Sequence, residues 1–294
     1  MCKLATMRWR YGIVGPGENP RDAAITVLSQ AQELIDAMVA NSSGSASRLS
    51  GVMWHAMPRS SPADATPSQS LQALRADVLM GLAVTRLIYN GKDRSEDGII
   101  EAQLSEVLHL RESARDSNGV ADALNSIGML KQKQQAFGEA EGHFLKSLEL
   151  RCQLRSDGQH AIAKAQALAQ VHTSLANLYK EWNHEGGDGQ AGRNLVEEAL
   201  TQYEKAQVEY IRGFHARHPK VANAVEGIAS LQQQQGKLVE ALIKWQETEA
   251  LLPSDAANKR LANARAQIES IRRELLEAQL LEATQALSRR GSLT

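Results

Sequence analysis

Clusters of histidine, cysteine, carboxylate and glycine are where this chain could carry chemistry, and spacing weighs each of them. In RYGIVGPGENP, Gly15 and Gly17 precede a predicted helix and resemble the start of the dinucleotide fingerprint GxGxxG. Pro20 stands where the third glycine belongs and no βαβ pattern surrounds the run, so an ordinary loop is expected instead of a pyrophosphate cradle. His215 and His218 could share one helix face as metal ligands do, but Pro219 follows at once and no cysteine or carboxylate stands beside them at ligand spacing. Junction residues are expected there, and no metal. His184, Glu185 and Asp188 lie among Gly186, Gly187, Gly189 and Gly192, a loop without the rigid support that a catalytic pair needs. No GxSxG, HExxH or Walker pattern occurs, and Cys152 follows Arg151 on a predicted helix with no identifiable histidine partner. The expectation is no catalytic residue, no cofactor and no enzyme. An enzyme would need an unrecognised site around Gly15 to Asn19 or His184 to Asp188.

What must position any functional residue is read from composition and periodicity. The 294 residues, 32.1 kDa, suffice for a sizeable core without disulfide or metal staples. Lys and Arg total 33 against 34 Asp and Glu, so the strongly basic footprint of a nucleic-acid binder is missing. Cys2 and Cys152 lie far apart without CxxC spacing, which predicts inert thiols in a reducing compartment. No apolar run reaches the roughly 18 residues of a membrane span, and MCKLATMRWRYG lacks the apolar middle of a secretory signal. A cytoplasmic location without membrane insertion is expected. Aromatics are only 4% while Ala, Leu, Gln and Glu recur, a balance that favours helix over sheet and predicts an all-α protein.

Along the chain, Asn19 and Pro20 open an amphipathic helix with apolar residues from Ala24 to Met38 at three and four spacing, within an N-terminal segment 1–40. Residues 41–68, rich in Ser, Ala and Pro with no acidic residue between Asp36 and Asp64, read as a linker. Periodicity resumes from Leu71 to a Gly91 stop and again after Ser95, a helical pair over 69–118. Beyond it, three segments repeat one another over 119–253. In each first helix a large apolar residue precedes a small one: Ile127 before Gly128, Leu175 before Ala176, Ile228 before Ala229. In each second helix a small residue is followed four positions later by a ring: Ala140 and Phe144, Ala199 and Tyr203, Ala241 and Trp245. Two helices approach closely only where one side chain is small, and the ring fills the space between neighbours.

This pattern resembles tetratricopeptide (TPR) repeats. The steps of 48 residues from Gly128 to Ala176 and 53 from Ala176 to Ala229 are similar to the kinesin light chain-like variety. Removing about eleven extra residues near NHEGGDGQAGR leaves a repeat of about 42, longer than the commonest length of roughly 34. His218-Pro219 opens the third repeat, Gln235-Gly236-Lys237 turns it, and Pro253 closes it. The departures are Lys131 and Gln232 where the family often has tyrosine, and Gln135 where it has glycine. The resemblance implies helix pairs stacked into a right-handed superhelix with a concave groove, and a degenerate fourth unit at 71–115. Over 254–294, Leu261, Ala264, Ile268, Ile271, Leu275 and Ala278 lie on one face, as a solenoid cap requires. The same heptad spacing permits weak self-association through 261–278.

The resemblance also implies that one face of each first helix lines the groove. On this sequence the face carries Asn125, Ser126, Met129 and Lys133, then Thr173, Ser174, Asn177 and Lys180, then Asn223, Ser230 and Gln233. Amides and hydroxyls that donate and accept suit the backbone of an extended peptide, the alternative being a solvated polar face. A clamp for a C-terminal Asp carboxylate is not expected, because Asn125, Met129, Ser174, Asn223 and Gly227 replace the basic and asparagine residues such cochaperones use. The resulting expectation is an adaptor or scaffold for a protein segment, or else a structural subunit using its convex face and terminal helices. The tail SRRGSLT resembles the substrate pattern of basophilic kinases, with Ser292 as the phosphate acceptor.

Overall fold

The computed structural model describes residues 19–42, 67–91, 93–154, 158–186, 193–254 and 258–291. Most of the linker at 41–68, Gly15 and Gly17, Asp188 and Ser292 lie outside the described residues. Among the described residues every regular element is a helix: α1 Pro20–Ser42, α2 Pro67–Tyr89, α3 Asp97–Ser113, α4 Ser117–Lys133, α5 Phe137–Gln153, α6 Gln159–His184, α7 Leu195–Gly213, α8 Pro219–Gln234, α9 Leu238–Leu251 and α10 Lys259–Gly291. None of them is long and apolar enough to cross a membrane. The chain divides into two compact units, Met1–Leu154 and Arg155–Thr294, with the boundary inside the repeat-bearing stretch 119–253.

Local chemistry sets the helix ends. Asp116 accepts from the Gly119 N–H at 2.9 Å, Asn194 from Glu197 N–H at 3.2 Å and His218 Nδ1 from Lys220 N–H at 3.2 Å, each occupying an otherwise orphaned amide at a helix start. Pro219 is pre-set for the first turn of α8. Helices α3, α4 and α8 close with one paired bond pattern. At the end of α4, Gln135 N–H donates to Gln132 O at 2.8 Å and Ala136 N–H to Lys131 O at 2.9 Å. That closure needs a left-handed residue. Gly236 supplies it at φ 74°, whereas Gln135 is forced to φ 62° and Arg115 to φ 53°.

In the first unit, Leu28, Ala31 and Ile35 of α1 pack on Val78 and Leu82 of α2, and Ala83 and Leu87 of α2 pack with Ile100, Leu104 and Leu130. The Phe144 ring is fully buried on Gly128, where a Cβ would lie 2.7 Å from Cε1. In the second unit, Ala206 and Tyr210 of α7 meet Val221, Ala224 and Val225 of α8, and Trp245 of α9 meets Ala264, Ile268 and Ile271 of α10. The first half of α10 therefore caps the second unit. Ala176, Ala229, Ala140, Ala199 and Ala241 are all fully buried at the helix crossings.

Helix α6 starts at Gln159, well before the repeat text that begins near Gln170. Its opening AIAKAQALA is built from strong helix formers, so helix propagates through a stretch that exposes Ile162.

Candidate peptide-binding cleft

Within the second unit, α6, α8 and α10 present polar side chains around an open cleft of about 510 Å³. Helix α6 contributes Lys180, and α8 contributes Asn223, Glu226, Ser230, Gln233 and Gln234. Asn263 and Gln267 come from α10, and the Tyr203 and Trp245 rings reach the cleft from α7 and α9. The polar residues recur at three and four spacing because the opposite face of each helix is spent on the core.

The rings fix this cleft. Tyr203 lies against Gly227 so closely that a Cβ there would come within 2.5 Å of Cζ. Its hydroxyl donates to Asn177 Oδ1. Burial and then the Glu226 charge push the phenol up to about 12, so it stays protonated and remains a donor. Trp245 Nε1 donates to Gln233 Oε1 at 3.1 Å, and Gln233 Nε2 donates to Gln267 Oε1 at 3.2 Å. Gln233 is thus held at both ends. Arg260 binds Glu226 with Nη2 at 2.8 Å and Nε at 3.2 Å, which neutralises the cleft's carboxylate. Lys180 Nζ donates only to the Ser230 hydroxyl, at 3.2 Å, and no described carboxylate balances it. Asn223 and Gln234 are exposed and make no hydrogen bond to another described residue.

The remaining groove candidates sit differently. Thr173 Oγ1 donates to Ala169 O at 2.8 Å and lies 3.2 Å from the Tyr210 hydroxyl, and Ser174 is half-buried. In the first unit Asn125 is 3% exposed, with Nδ2 on Met129 Sδ at 3.8 Å and Oδ1 buried without a partner. Ser126 is buried, its hydroxyl on Asp122 O at 3.1 Å and Met80 Sδ at 3.6 Å. Met129 packs against the core formed by α2, α3 and α4. Lys133 Nζ is tied to Asp97 Oδ1 at 2.9 Å and Asp93 O at 2.6 Å. These four side chains are engaged inside their own unit, because α2 and α3 cover the face of α4 that carries them.

Elsewhere, His218 stacks on Phe214 with ring centroids 4.0 Å apart and lies edge-on to His215, so both histidines serve the α7–α8 junction. No His, Cys, Asp or Glu group suited to a metal occurs among the described residues. Cys152 is an exposed thiol. Asn263 and Gln267 also line the cleft although they sit on α10, whose sequence pattern marks only a cap. The available signal was their four-residue spacing on a helix that follows a complete repeat, the place of another first helix.

No family model matches the chain, and no curated protein matches it. Among solved structures, BtubC (BKLC) from P. vanneervenii is similar with a TM-score of 0.62, over 93% of this chain and 91% of that one, at 12% identity. Two structures described as Podosopora anserina kinesin light chain nearly identical TPR-like repeats align over 85% of this chain and 92% and 91% of theirs, at 15% identity, with TM-scores of 0.43 and 0.44. Helix pairs closed by like turns, small residues at the crossings, rings filling the space between helices and the BtubC fold agree: the chain is a TPR-like helical repeat protein.

Proposed function

We propose that the chain is a non-catalytic adaptor whose second unit holds an extended segment of a partner protein in the cleft between α6, α8 and α10. The supporting observation is the cleft itself. It is open and polar, with the amides of Asn223 and Gln234 turned outward and the Lys180 cation unbalanced. An extended backbone alternates donors and acceptors, which side-chain amides can match in either sense. The buried rings beneath hold the neighbouring amides of Asn177 and Gln233 in place, so part of the cleft is ordered before binding.

Affinity capture with the full chain, compared with Lys180→Gln and Asn223→Ala, tests this reading. Each variant is expected to lose most of a captured partner while keeping its helical circular dichroism. Full retention by both variants moves the contact away from the cleft. A structural-subunit reading then gains, and it has its own support: Val208 and Ile211 on α7 and Val239 and Ile243 on α9 are exposed on second helices.

A further inference from the structure

Helix α10 changes role along its length. Leu261, Ala264, Ile268 and Ile271 are buried against the second unit, so the heptad stripe that could have served self-association is consumed by capping. From Leu276 through Gln285 every residue is exposed, and Thr284 spends its hydroxyl within the helix, on Leu281 O at 2.8 Å. Leu276 is 56% exposed and Leu280 58%. A solitary helical arm of this length is marginal in water, and leucines on it gain nothing until something covers them.

The exposed leucines do not continue the capping stripe. Leu276, Leu280 and Ala283 follow one another at four and three residues, on a face turned by roughly 110° from the capping face at 100° per residue. The new stripe begins where the buried one ends. With Leu280 and Arg273 at a positions and Leu276 and Ala283 at d, Arg272 falls at g and Glu277 at the following e. In a parallel pair of identical helices, g of one strand faces e of the next heptad on the other, so Arg272 meets Glu277 of a second copy, twice by symmetry. Like charges at Arg273 keep the seam from starting earlier. Arg272 is bound only to Glu269 of its own helix, 2.9 Å away and exposed, a contact of little worth that pairing can replace.

We infer that the distal half of α10 is a short parallel pairing arm that joins two copies of this chain through Leu276, Leu280 and Ala283, with register set by Arg272 and Glu277. The inference is independent of the peptide cleft. Few layers make the pairing weak and concentration-dependent, which would raise the avidity of a two-copy scaffold for partners with two segments.

Sedimentation of the full chain over a wide concentration range is the test. A reversible monomer–dimer equilibrium is expected, weakened at least about tenfold in Leu276→Ser/Leu280→Ser. Arg272→Glu is expected to weaken it too, and Arg272→Glu/Glu277→Arg to restore it. The charge swap leaves every leucine in place, so it probes the seam without touching the packing of the cap. A chain that stays monomeric throughout, including one whose arm instead binds an unrelated protein or a vesicle, overturns the inference. A dimer indifferent to the leucine changes also overturns it, and a dimer indifferent to the charge reversal overturns the parallel register.

Discussion

The two units build the same helix-pair fold with different connectors. In the first, long cations bridge neighbouring helices. Arg75 joins Asp36 and Glu106, Arg111 joins Asp77 and Asp116, Lys131 joins Glu101 and Glu139, and Arg151, almost fully buried, reaches Asp122. In the second, rings with a polar tip do that work between α6, α7, α8 and α9, Tyr203 on Asn177, Tyr210 on Thr173 and Trp245 on Gln233, while the cations Arg260 and Arg265 tie α10 to Glu226 and Glu249. Both solve one problem, since adjacent helices in a repeat stack must be fixed in rotation as well as pressed together. A ring does so from inside the core and leaves the outer face of the helix available. A long cation does so across the outer face and occupies it, as Lys133 does in binding Asp97, while Asn223 and Gln234 stay unoccupied.

The largest effects test the ring connectors. Tyr203→Ala should cost about 3–5 kcal/mol, since it empties the space over Gly227 and frees Asn177. Tyr203→Phe should cost only about 1 kcal/mol, the value of the hydroxyl bond. Urea unfolding of both variants, with hydrogen exchange read separately for each unit, checks the pair. Equal losses would mean that the hydroxyl, not the ring, carries the connection. Gly128→Leu in the first unit, where Phe144 already lies against the backbone, is expected to cost about 1–3 kcal/mol by overpacking. Unchanged melting of that variant would remove the close approach on which the repeat alignment rests.

Arg111 sharpens the contrast from the other side. It binds Asp77 and also Asp116, the residue that caps α4. Arg111→Met should cost about 1–2 kcal/mol, because charged hydrogen bonds are lost while the stem's packing is kept. Added salt should weaken the wild-type first unit measurably and the second less, because exposed ends of ion pairs are screened and buried ring contacts are not. Equal salt responses of the two units in hydrogen exchange would erase the distinction.

Most of the fold was legible because it is steric and periodic. Small residues at 128, 176 and 229, and rings four residues after Ala140, Ala199 and Ala241, state which faces touch. The cleft was legible only in part. A polar residue on the groove side of a first helix looks the same in sequence whether solvent or a neighbouring helix lies over it. Asn125 and Lys133 are therefore indistinguishable from Asn223 and Lys180 until the burial by α2 and α3 is known. Gln135 is a case where a departure was visible and its consequence follows. It occupies a left-handed turn position at φ 62° that its counterpart Gly236 fills without strain. Gln135→Gly should stabilise the first unit by about 0.5–1 kcal/mol, a gain limited by the extra freedom of glycine in the unfolded chain. A lower urea midpoint would show that the Gln135 side chain contributes more than its backbone costs.

The smallest effect separates the units by pH. In the second unit burial is the main cause that holds His172 below the ordinary histidine value, while its bond to Gln202 opposes the shift. The unfolded chain therefore takes up a proton first as the solution is acidified. The contribution of His172 is complete above the ordinary histidine value near 6.5 and declines as pH falls through the lower folded value. In the first unit burial is the main cause that holds the Asp77 carboxyl above its ordinary value, with Arg111 opposing the shift. Its sign is opposite: the contribution is complete below the ordinary carboxylate range and is lost as pH rises through the folded value. Mild acidification from neutral pH should thus loosen the second unit before the first. His172→Gln should flatten that response while Asp77→Asn leaves it unchanged. Hydrogen exchange followed by unit between neutral and mildly acidic pH measures this directly, and a His172→Gln protein with the full wild-type response would assign the pH sensitivity elsewhere, first to His218, whose neutral Nδ1 caps α8.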